Sequence, residues 1–115
     1  MDSILTSIKK LLGIAEDYNH FDTDLIIHIN SVFATLTQIG VGPAEGFSIS
    51  DDSAIWDDFI TEQTTLNSVK SYMYLKVKLL FDSNSLSSAV IESMNKIANE
   101  FEWRLNVTVD PGDKE

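Results

Sequence analysis

The chain has 115 residues, 43% of them hydrophobic and 10% aromatic, which suits one small domain with a modest core and leaves no room for a second. Eighteen Asp and Glu against eight Lys and Arg give a net charge of −10, the wrong sign for a protein that lives by binding phosphate backbones. Cysteine is absent, which excludes disulfides and thiolate metal sites.

Ser3 is placed to cap a first helix whose apolar residues Ile4, Leu5, Ile8, Leu11 and Leu12 recur at three and four, and Gly13 to end it in the left-handed conformation. Lys9 and Lys10 follow these apolar residues instead of preceding them, unlike a signal peptide, and no apolar run approaches the roughly 20 residues of a membrane span. The expectation is a soluble, intracellular chain with no membrane partner. After a polar link, Asp22 or Thr23 is the expected cap of a second helix with the stripe Leu25, Ile26, Ile29, Val32, Phe33, Leu36 and Ile39, stopped by Gly40-Val41-Gly42-Pro43.

Residues 44–50 read as a loop with a short extended piece at Phe47-Ser48-Ile49, and Asp51, Asp52 and Ser53 offer caps to a short helix bearing Ile55, Trp56, Phe59 and Ile60. A long helix is predicted from about Thr65 to Phe81, with Leu66, Val69, Met73, Val77, Leu80 and Phe81 on one side, and Asp82-Ser83-Asn84-Ser85 breaks it. A last helix, from about Leu86 to Leu105, carries Leu86, Val90, Met94, Ile97, Phe101 and Leu105, with Glu100 set to pair with Arg104 one turn on. Residues 106–111 alternate like a strand. The expected fold is all-α: a small bundle of about four to five helices within residues 1–110, one of them short and loop-linked, followed by an extended tail whose last residues, 111–115, are polar. Its predicted core is Leu25, Ile29, Val32, Phe33, Leu36, Val69, Met73, Val77, Val90, Ile97 and Phe101.

Fifty-nine consecutive residues, Leu11 to Val69, contain no Lys or Arg and ten Asp or Glu. Acidity so concentrated implies a surface that repels or matches a partner. A second anomaly is apolar. At about 100° per residue, Tyr72, Leu75 and Leu79 fall roughly opposite Met73 and Val77, Ile27 falls across the second helix from Leu25 and Ile29, and Trp103 falls beside Lys96 and Asn99 on a polar face. A central helix packed all round would account for some of these; a subunit burying them against copies of itself or another protein would account for the rest. Tyr, Trp and Met are interface-prone types.

Catalytic chemistry is poorly represented. His20-x-Asp22-x-Asp24 with His28 one turn later could offer a carboxylate and an imidazole on one helix face to a metal. Helix capping and first-turn charge explain the same residues better. Asp57-Asp58 and Glu100/Glu102 are neighbours in sequence only, no Gly-rich phosphate loop follows a strand, and two His without Cys make no credible nucleophile and base pair. The expectation is a non-enzyme with no cofactor and no metal.

Several stretches together look familiar: residues 4–14 (ILTSIKKLLGI), Asp24-Leu25-Ile26-Ile27-His28-Ile29-Asn30 leading into Gln38-Ile39-Gly40-Val41-Gly42, the Trp56-Asp57-Asp58-Phe59 element, residues 70–82 (KSYMYLKVKLLFD), and Glu102-Trp103-Arg104-Leu105-Asn106-Val107. In this order they resemble the head-tail connector proteins of tailed bacteriophages and prophages, the small helical adaptor or head-completion proteins. The resemblance runs from about Ile4 to Pro111 and includes no catalytic motif. It implies a virion protein, made in the host cytoplasm, that forms a homo-oligomeric ring, commonly twelve-fold, between the portal protein and a downstream tail or stopper protein, extending the DNA channel without binding DNA specifically.

The residues themselves suggest how such a role would be divided. Glu45, Asp51 and Asp52, in the loop best able to reach a lumen, are the candidate channel lining, where acids would repel the duplex. Tyr72, Leu75, Leu79 and Ile27 are the candidate oligomer contacts, and Trp103, Arg104, Val107 and Val109 the candidate contacts to portal, tail or a neighbour. The alternative from another class is a small acidic regulator or inhibitor that imitates DNA in the basic groove of a nucleic-acid enzyme. Self-association separates the two, since a mimic stays monomeric or dimeric.

Overall fold

A computed structural model describes residues 3–109; Met1, Asp2, residues 110–115 and the side chains of Ser83, Thr108 and Val109 lie outside the description, and with them the predicted polar tail. Helix α1 (Ile4–Leu12) starts where Ser3 Oγ accepts from the Thr6 amide at 3.2 Å and ends on Gly13 at φ 81°, the two expected caps. Ile4, Leu5 and Ile8 are buried, and so is Lys9, only 2% exposed. Its ammonium donates to the Glu16 carbonyl at 2.9 Å and lies 2.9 Å from Asp22 Oδ1. A buried ammonium without partners would be expelled, so the link after α1 folds across it. Asp22 is therefore not the cap predicted for α2 (Asp22–Gln38): it sits in the first turn and forms an ion pair with Lys9, while the residue at the cap position, Phe21, makes no side-chain cap.

Helix α2 buries Leu25, Ile29, Val32, Phe33 and Leu36, the inner stripe its spacing predicts. The chain then doubles back along it. Asn30 clamps the returning segment: its Nδ2 donates to the Ile49 carbonyl at 2.9 Å and its Oδ1 accepts from the Ile49 amide at 2.8 Å. That side chain completes both backbone groups of Ile49 where a strand partner would otherwise be needed. Among the described residues there is no strand, only an isolated bridge between Ser3 and Ile55, so Phe47-Ser48-Ile49 pairs with no strand. Gly42, at φ 87°, passes so close to Phe59 that a Cβ there would run into the ring. The short helix is a 3-10 turn, Trp56–Asp58, and its cap is Asp58, accepting from the Ile55 amide at 3.0 Å, instead of Asp51, Asp52 or Ser53. Trp56 Nε1 donates to Ser7 Oγ at 2.8 Å, fixing the turn to α1.

Helix α3 (Gln63–Asp82) begins two residues before the predicted Thr65 because the Glu62 carboxylate accepts from the Thr65 and Thr64 amides at 2.8 and 3.1 Å. It packs against α1, α2 and α4 and buries Leu66, Val69, Tyr72, Met73 and Val77. Phe81 meets Phe21 edge-on at 5.1 Å, which sets α2 and α3 antiparallel. Leu80, expected on the inner side, is 50% exposed.

A second 3-10 turn, Ser83–Ser85, leads to α4 (Ser88–Val109), and Leu86, Met94, Phe101 and Leu105 of the predicted stripe turn inward but two of its residues do not. Val90 and Ile97 are 44% and 45% exposed and do not belong to the core, whereas Ala98 and Leu105 are buried and Ile91, Met94 and Phe101 half-buried. Val90 and Ile97 stay on the surface because α4 lies mainly on α3, and one helix covers only part of so wide an apolar arc. The strand-like alternation predicted from Asn106 is overridden too: α4 continues through Val109, and Asn106 Nδ2 donates to the Ile39 carbonyl at 3.3 Å, tying it to the end of α2. The whole spans 48 × 35 × 20 Å. A thickness of 20 Å is about two helix diameters, so each helix has a neighbour on one side and solvent on another.

Candidate assembly surfaces

Tyr72 does not belong to a subunit-contact face as predicted. It is 0% exposed, and its hydroxyl donates to Glu102 Oε2 at 2.6 Å, an oxygen that also lies 3.9 Å from Lys76 Nζ. The side chain joins α3 to α4 inside one subunit: Tyr72 shares the side of α3 that bears Leu75 and Leu79, about 60° and 20° away round the helix, but α4 covers that side at Tyr72. Burial, and then the hydrogen bond and charge of Glu102, push the Tyr72 hydroxyl well above the ordinary tyrosine value of 10.0. Because the folded-state value is the higher one, the stabilisation is complete below pH 10 and is lost as pH rises above it, where the unfolded chain ionises first. Denaturant titrations from pH 7 to 11 should therefore show a loss of stability above pH 10 that is smaller in Tyr72→Phe. Equal slopes for the two proteins would remove the hydroxyl from the account.

Leu75 and Leu79 are half-buried. Leu75 lies in an open groove of about 620 Å³ between the end of α1, the middle of α3 and α4, lined also by Leu11, Asn67, Lys70, Ser71, Tyr74 and Phe101. Leu11, expected in the α1 stripe, is 52% exposed at its edge. Across the molecule, Ile27 on α2 is 59% exposed, and a shallow dip formed by Ser31, Val32, Thr35, Lys76 and Leu80 lies one turn beyond it. On α4, Trp103 is 68% exposed and Val107 40%. Arg104 lies 3.6 Å from Glu100 with both side chains more than half exposed, a pair worth little by itself. The Val109 side chain is outside the described residues.

Glu45, Asp51 and Asp52 are all exposed in the segment joining α2 to the Trp56 turn. Asp51 accepts from the Ser53 hydroxyl at 2.6 Å and amide at 2.9 Å, and these bonds hold its carboxyl below the usual range. The charge is thereby kept on a fixed turn. The residues of the histidine-aspartate motif are engaged separately: His20 stacks edge-on to Phe21 at 4.8 Å, Asp22 faces Lys9, and among the described residues no three His, Cys, Asp or Glu are grouped so as to hold a metal ion. Sequence reading missed Lys9 and Asn30, since nothing local marks a lysine or an asparagine whose partners lie in a later loop. No helix among the described residues is long and apolar enough to cross a membrane.

The result is a thin helical domain that leaves apolar side chains open on several sides and displays acids on a fixed loop. The phage connector protein family matches residues 4–112, nearly the whole length, and the chain belongs to that family. It is thus a structural phage protein that interacts with other head or tail components. No curated protein and no solved structure matches the chain.

Proposed function

We propose that the protein assembles as a homo-oligomeric ring between the portal and the tail, extending the DNA channel and presenting a docking surface to the next tail or stopper protein. The observation that carries this reading is the family match over residues 4–112. The exposed Ile27, Leu80 and Trp103 and the open groove support it, because a subunit with apolar surface on different sides suits a ring, in which one face meets a different face of the next copy. Glu45, Asp51 and Asp52 are assigned to the lumen, where carboxylates would let the duplex pass without holding it. Trp103, Arg104, Val107 and Val109 are assigned to the contacts that α4 makes beyond its own subunit.

Electron micrographs of the purified protein, alone and mixed with the portal protein of the same phage, test the proposal. The expected result is a ring that binds coaxially to the portal. A protein that remains monomeric or dimeric in both samples and instead blocks a DNA-binding enzyme would overturn it in favour of the acidic mimic.

A further inference from the structure

Helix α4 carries two apolar features that a single subunit leaves uncovered. Phe101 forms one wall of the open groove with Leu11, Tyr74 and Leu75. Two residues on, Trp103 is 68% exposed, with Val107 one turn later. Two residues turn an α-helix through about 200°, so the indole leaves α4 on the side away from the groove. A knob and a groove on opposite sides of one helix cannot meet within a subunit. Between copies they meet head to tail, each subunit giving its knob to one neighbour and receiving a knob from the other, which is the contact that propagates around a ring.

Charge selects the same pairing. In a chain of net charge −10 the groove lining contains no acid, and its one charged side chain, Lys70, makes no ion pair among the described residues; its ammonium rests 5.7 Å above the Trp56 ring. One turn before Trp103 stands Glu100, more than half exposed. We propose that Trp103 of one copy, flanked by Glu100 and Val107, seats in the groove between α1, α3 and α4 of the next copy, with Glu100 set toward Lys70. The inference rests on the ring reading and names the contact through which the ring closes. Interface hot spots are enriched in Trp seated in well-packed pockets, and an acid meeting a lysine at the rim sets the register.

The chain contains no cysteine, so a paired substitution reports the contact cleanly. Asn67→Cys in the groove combined with Val107→Cys beside the knob should yield a ladder of cross-linked oligomers with a short bifunctional thiol reagent, while neither single variant does. Trp103→Ala should raise the dissociation constant of the subunit contact by about thirtyfold or more with an unchanged helical signal. Lys70→Glu should weaken assembly, and Glu100→Lys in the same chain should restore it. Rings that form normally with Trp103→Ala and give no ladder would overturn this contact and leave the ring standing. Products that stop at cross-linked pairs would overturn the head-to-tail geometry. A wild-type chain that stays monomeric both alone and with its portal would overturn the contact and the ring together.

Discussion

Replacing Phe33 with Ala is expected to destabilise the protein by about 4 kcal/mol, through lost burial and the cavity left behind. The side chain is 0% exposed, and its ring lies 4.9 Å from Phe47, 4.7 Å from Phe59 and 6.5 Å from Trp56, all three on the segment that doubles back over α2. No neighbour can fill the space without pulling that segment inward, and Gly42, pressed against Phe59, resists the movement. A domain of this size has about 5–15 kcal/mol of stability in all, so the variant should sit near its unfolding threshold. Ile27→Ala on the same helix, 59% exposed, should change the stability of the isolated subunit by less than about 0.5 kcal/mol. Urea denaturation of the two variants decides the matter. A loss below about 1 kcal/mol at Phe33 would show that the aromatic cluster is not the centre of the core.

Reversing charge in the acidic loop is expected to have the larger functional effect. Asp51 organises its turn by accepting from Ser53, so the useful variant combines Glu45→Lys and Asp52→Lys with Asp51→Asn, which keeps an acceptor for the Ser53 amide. Two reversals and one neutralisation move the net charge of each subunit from −10 to −5, and a ring repeats that change at every subunit. Assembled variant rings should gain duplex binding that weakens steeply with salt, while wild-type rings show none, and particles built with the variant should release DNA poorly. The comparison has to be made on rings, since one subunit presents too few charges to separate a lining from an ordinary loop. Variant rings that ignore DNA at low salt, or wild-type rings that bind it, would leave these acids as solubilising surface.

Both variants address parts of the chain that differ in how far local sequence specifies them. The inner face of α2 was legible because five buried residues, Leu25, Ile29, Val32, Phe33 and Leu36, recur at helical spacing on a helix with solvent behind it. The caps of α1 were legible for a similar reason: Ser3 and Gly13 act on backbone groups within a turn of themselves. Helix α4 shows the limit. Its apolar arc is wider than the face α3 covers, and only the position of α3 decides that Ala98 is buried and Val90 and Ile97 stay outside, while Leu105 is buried as its spacing predicts. The same dependence on distant partners hid Lys9, whose charge is satisfied by Glu16 and Asp22, and Asn30, whose amide serves Ile49. It also moved Tyr72 from the predicted contact face into the core, because Glu102 on another helix receives its hydroxyl. Composition, charge and period determined an acidic all-helical domain with surplus apolar surface. Which of that surface remains open, and therefore which residues are available to another subunit, was decided by long-range packing, since exposure depends on neighbours remote in sequence.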